Sequence, residues 1–206
     1  ILQTAYNENV DIVANGDVEL DRRSMNLRNV DINTQNSIVT KQTIGSIAGG
    51  EWWTNRYIDI TSEGQVSGLT ATTGTFLLNT SKNIENSNLK ARRIEITGEQ
   101  LMGNVLVSDN QDEHSQIKMT ATNGDIIGNT AAAYGNLTIT ATGSIADSSF
   151  TSQAKDVALT AAAIGNTTVT AANGTATLDA ANLANSDIIA GATTLKAAGM
   201  NLYDVD

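Results

Sequence analysis

The sequence predicts an all-β fold: a right-handed parallel β-helix (β-solenoid) of about ten coils of ~20 residues, running through residues 1–206 as one repeat segment. Three observations predict it. An apolar residue set between polar ones recurs at nearly constant spacing. Short apolar–polar alternations, the strand signal, are separated by turns rich in Gly and Asn. The composition suits a narrow core: no proline, no cysteine, 4% aromatic residues, and Thr, Ala and Asn making up more than a third of the chain.

The repeat is visible by eye. Val10-Asp11-Ile12 through Val18 shares its pattern with Ile58-Asp59-Ile60 through Val66 and with Leu137-Thr138-Ile139 through Ile145. The second apolar residue of this unit gives a predicted core ladder of Ile12, Ile32, Ile60, Leu78, Ile96, Met119, Ile139, Leu159, Leu178 and Leu195. Seven of the nine spacings lie between 17 and 20. The two long ones, 28 and 23, predict insertions near 41–56 and 102–115. A second apolar column follows five to seven residues later, from Val18 and Ile38 through Val66, Ile84, Ile126, Ile145, Ile164 and Leu183 to Met200. A third, looser one includes Leu27, Leu69, Leu89, Val105, Phe150, Val169, Ile188 and Leu202. Three short strands per repeat make one coil, one strand to a side. Coils stacked at about 4.8 Å give a rod of roughly 48 Å.

The same geometry accounts for the rest of the composition. Stacking places like on like, so Ile, Val and Leu form dry internal ladders. Thr suits the outer faces because its branched Cβ favours strands; the register predicts a Thr120–Thr140–Thr160 ladder. Asn and Gly at corners tolerate left-handed backbone angles. Proline has no place where strand N–H groups donate to the neighbouring coil.

The net charge of −10 argues against nucleic acid as a partner, since phosphate recognition needs a basic face. Nine of the twelve basic residues fall between Arg22 and Arg93, and the second half is nearly uncharged. Without cysteine there is no disulfide scaffold and no thiolate metal site. No apolar run reaches transmembrane length, so no membrane insertion is expected. Both ends open in mid-pattern, which suggests a segment of a longer protein whose unpaired coil edges would invite end-to-end self-association.

Candidate sites are few. Trp52 and Trp53, with Arg56 and Tyr57 beside them, form the leading ligand-binding candidate, because adjacent strand residues point to opposite faces and one indole would be free to stack on a sugar or a partner protein. His114, the only histidine, sits with Asp109, Asp112 and Glu113, a weak metal candidate without fixed ligand spacing. The pairs Arg22-Arg23 and Arg92-Arg93 suit surface ion pairing. Asp59, Glu95 and Lys118 fall near the first column on successive coils, as the polar residues of a β-helix enzyme would. No nucleophile elbow, phosphate loop or paired histidine is present, so neither catalysis nor a cofactor is expected.

The stretch Asn136-Leu137-Thr138-Ile139-Thr140-Ala141-Thr142-Gly143-Ser144-Ile145-Ala146-Asp147-Ser148-Ser149 resembles the haemagglutinin repeat of the filamentous haemagglutinin family, the large exoproteins of bacterial two-partner secretion. Residues 118–129 and 156–168 look like weaker copies. The resemblance implies a right-handed β-helix, export through an outer-membrane partner, location on the bacterial cell surface or in the medium, and adhesion to a host or bacterial receptor or glycan. Some family members use the solenoid as a stalk for a distant toxin in contact-dependent inhibition. The expected function is therefore a structural or adhesive fibre segment. Two alternatives compete: a carbohydrate-active β-helix lyase or hydrolase, and an ice-binding solenoid suggested by Thr138-Ile139-Thr140.

Overall fold

The computed structural model describes residues 4–108, 111–112, 114–196 and, as backbone, 201–205. Every regular element in it is a β-strand, and all pair in parallel within one continuous sheet that winds into a solenoid of about ten turns. Each coil has three sides, A, B and C, met in that order along the chain. In the second coil these are the first half of Asn26–Thr34, its second half, and Ile38–Thr40.

Inward side chains form four long ladders. Side A stacks Asn7, Leu27, Ile47, Val66, Ile84, Leu101, Ile126, Ile145, Ile164 and Leu183, and the backbone of Leu202 takes the next rung. Side B stacks Ile12, Ile32, Trp52, Ala71, Leu89, Leu106, Ala131, Phe150, Val169 and Ile188. Side C carries two. One runs from Val18 through Ile38, Ile58, Phe76, Ile94, Ile117, Leu137 and Val157 to Ala176. The other runs Ile60, Leu78, Ile96, Met119, Ile139, Leu159, Leu178, Leu195. Large residues sit against small ones: Trp52 above Ala71, Phe150 beside Ala131. A narrow core has a fixed cross-section, so a bulky rung needs a small neighbour to keep native packing density.

The corner between sides A and B sets the coil. Asn9, Asn29, Gly49, Gly68, Asn86, Gly103, Gly128, Asp147, Asn166 and Asn185 occupy it in successive coils, and all ten have positive φ. Only Gly, Asn and Asp visit that region readily, so the chain turns at the same place each time. A Cβ at Gly103 would also lie 2.5 Å from Asn86 Oδ1 in the coil before, so a side chain there would displace the Asn86 amide.

Three expectations need correction. The predicted ladder changes sides. Ile12 and Ile32 belong to side B and continue to Trp52, whereas Ile60 to Leu195 form a side C ladder. The unit at Val10–Val18 and the one at Ile58–Val66 carry the same apolar–polar wording but lie one side apart. The second and third columns mix sides in the same way: Val18 and Ile38 stand on side C while Val66 to Leu183 stand on side A, and Val105 faces out beside the true rung, Leu106. Met200 lies outside the described residues.

The insertion expected near 41–56 is an ordinary coil. Ile47–Ala48 and Glu51–Thr54 are strands that stack on Leu27–Arg28 and Ile32–Thr34 in register. Gly49, at φ +74°, is the left-handed corner itself, and Gly50 follows it at φ +101°. The insertion near 102–115 is real but narrower. Leu101–Met102 and Val105–Ser108 are strands. The step of five from Asn88 to Arg93 becomes a step of eleven from Val105, the partner of Asn88, to Gln116, the partner of Arg93, so the extra chain leaves between Ser108 and Gln116. The Thr120–Thr140–Thr160 ladder is present on side C.

Candidate functional site: a trough on side B

Trp52 and Trp53 part company at the strand Glu51–Thr54. Alternation along this strand sends Trp52 inward, 2% exposed, and Trp53 outward, 37% exposed. The indole N–H of Trp52 donates to the Val30 carbonyl at 2.8 Å. Gly50, at φ +101°, makes that reach possible: a Cβ there would sit 2.4 Å from the Val30 oxygen and 3.2 Å from the indole nitrogen. Trp52 is thus a core anchor and is not available to stack on a ligand. Its neighbour Trp53 is presented from a strand that the anchor holds in place.

Trp53 forms part of an open trough of about 400 Å³ on coils one to four. One wall is the outward row Asp11, Asp31, Glu51 and Thr70. The other is Val13, Asn33, Trp53 and Thr72. The floor is the strand backbone at Ile12, Ile32 and Trp52. Asp31 Oδ1 accepts the backbone N–H of Glu51 at 2.7 Å, which fixes one carboxylate against the next coil. Three carboxylates and no basic residue line the trough.

Tyr57 is exposed but lies around the next corner on side C, opposite Thr75, and Arg56 is exposed in the turn between the two sides. The sequence cluster of four therefore does not converge on one surface.

The candidate metal group is only partly described, because Asp109 and Glu113 lie outside the described residues. Asp112 pairs with Arg92 at 3.7 Å and accepts the His114 backbone N–H at 2.9 Å. No group of three metal-ligating side chains occurs among the described residues.

Side C holds a second concavity of about 290 Å³, lined by Asp59, Leu77, Asn79, Arg93, Glu95 and Thr97 among others. Leu77 separates Asp59 from Glu95 in the outward row, and Lys118 follows Glu95. Glu95 accepts hydrogen bonds from Lys118 at 2.8 Å and Arg93 at 3.1 Å. The Lys118 bond, ahead of a smaller opposing effect of burial, holds the Glu95 carboxyl below the usual carboxylate range. Among the described residues no helix is long and apolar enough to cross a membrane.

The signal that sequence reasoning missed is the outward acidic row of Asp11, Asp31 and Glu51. The 28-residue step in the apolar column hides it by placing Glu51 in an apparent insertion; with Gly49 as the corner, all three fall twenty residues apart. Comparison with known proteins returns no match to this chain, whether among family models, curated proteins or solved structures.

Proposed function

We propose that this chain is a rigid structural and adhesive segment of a large secreted bacterial surface fibre. One observation carries the reading: about ten coils stack in register, with the same left-handed corner kept in every one. Such a fold transmits length and stiffness and presents rows of side chains along a rod. The resemblance of 136–149 to haemagglutinin repeats supports the same reading, with an outer-membrane secretion partner and a cell-surface receptor or glycan as its partners. Side C favours it over a β-helix hydrolase. A general acid needs a raised pKa, and Glu95 is held low by Lys118 and Arg93. The threonine ladder argues little for ice binding, because Lys118 and Ala158 interrupt the row beside it.

Antibody raised against the fragment should label intact cells of the producing organism, and mild protease treatment of those cells should remove the label. Antigen found only after lysis overturns the surface-fibre reading.

A further inference from the structure

The side B trough has a ligand chemistry of its own. It is open and follows the solenoid axis over four coils, a length of roughly 14 Å at the coil spacing. Its two walls repeat once per coil, so a ligand lying along the axis meets one outward side chain from each wall at every rung. An extended pyranose chain advances by nearly one rung per sugar. An extended peptide advances about 3.3 Å per residue and falls out of step within two rungs.

The groups match a sugar. Trp53 offers part of an indole face, and Trp52 locks the strand that carries it. Ionised Asp31 and Glu51 are acceptors only, with more lone pairs than the single backbone N–H on Asp31 uses. Asn33, Thr70 and Thr72 supply donors as well as acceptors. With three carboxylates and no Lys or Arg, the trough opposes an anionic polysaccharide.

We propose that this trough binds a neutral, extended, β-linked polysaccharide along the solenoid axis, with Trp53 stacking on a sugar ring and Asp31 and Glu51 accepting its hydroxyls. This gives the adhesive part of the proposed function a ligand class and leaves the stalk part independent of it.

Titration calorimetry of the whole chain with cellohexaose and with fully acetylated chitohexaose tests the proposal. Saturable binding to at least one is expected, with quenching of the exposed tryptophan's fluorescence. Trp53→Ala should weaken it by about tenfold, and Asp31→Asn with Glu51→Gln by about fivefold. Asn33→Lys, which fills the exposed row without touching the core, should block it. Glu95→Gln on side C should leave affinity unchanged. No binding to either oligosaccharide, undiminished binding by Trp53→Ala in a protein that melts like the parent, or preference for heparin or polylysine overturns the proposal. If binding fails while the antibody still labels intact cells, only the trough assignment falls.

Discussion

The inner corner after the left-handed residue is built in two ways. In the first four coils it holds Val10, Val30, Gly50 and Leu69; in the next six it holds Ser87, Asn104, Asn129, Ser148, Thr167 and Ser186. Backbone geometry is the same in both halves, since the preceding residue has positive φ throughout. The chemistry differs. In the later coils four of these side chains accept from the coil before: Ser87 N–H donates to Asn104 Oδ1 at 3.0 Å, Asn104 N–H to Asn129 Oδ1 at 2.9 Å, Asn129 N–H to Ser148 Oγ at 3.1 Å and Thr167 N–H to Ser186 Oγ at 3.3 Å. These polar groups are buried, and among the described residues no buried side-chain polar atom lacks a partner. Each bonded rung satisfies its neighbour, so losing one side chain leaves a buried group in the adjoining coil without a partner. An apolar corner has no such condition, and this freedom lets coil three replace its corner side chain with the Trp52 indole. The half with the apolar corner also carries the trough.

The largest effect should come from the apolar half. Trp52→Ala empties the widest rung of the core and frees the Val30 carbonyl, and is expected to cost about 4 kcal/mol in urea unfolding. Trp52→Phe keeps most of the volume and loses only the indole N–H, so about half that loss is expected. Equal losses in the two variants would mean that the hydrogen bond, not the packing, holds the corner.

Next comes the polar half. Asn129 receives the Asn104 N–H and donates to the Leu101 and Ile127 carbonyls at 2.8 and 3.0 Å. Asn129→Leu has a similar volume but breaks the ladder at its centre and orphans buried groups in its own coil and the one before. A loss of about 3 kcal/mol is expected. Leu69→Asn, the reverse change at the equivalent corner of coil four, should also destabilise, because Gly50 in the coil before has no side chain to pair with it and the indole of Trp52 lies at that corner. If Leu69→Asn were neutral, the two halves would not differ in kind.

How much of this was legible in the sequence depends on which column was followed. The side C ladder from Ile60 to Leu195 could be read directly, because apolar rungs alternate with Thr, Asp and Lys at nearly even spacing. The first two coils break from that column because Val10-Asp11-Ile12 and Ile58-Asp59-Ile60 look alike on different sides. An apolar–polar–apolar triplet reports a strand and says nothing about which side it occupies. The corner residues do. Asn29, Gly49 and Gly68 step by 20 and 19 with no gap where the apolar column jumps by 28. Their identity changes among Asn, Gly and Asp, so the column is hidden from any search for identical letters, yet the backbone requirement behind it is constant. The same register decides which tryptophan is buried, and with it the trough. The pairing of Arg92 and Arg93 with carboxylates was anticipated; their partners Asp112 and Glu95 depended on the register.

The smallest effect tests whether surface charge matters at the junction of the two halves. Glu95 lies where the two halves meet, between Arg93 in its own strand and Lys118 in the next coil. Its folded pKa is lowered, so its contribution is present above the unfolded carboxylate value near 4.3 and is lost as pH falls through the folded value. The pair is partly exposed, which limits the benefit to about 0.5 kcal/mol. Glu95→Gln should therefore unfold slightly earlier than the parent at pH 7. The two should converge as the buffer is taken well below pH 4, and the gap at pH 7 should shrink in high salt. A gap that persists in acid would assign the difference to packing against Leu77 instead of charge. The coil stack would then owe its cohesion at this junction to its apolar rungs alone, as the trough half already does at its corner.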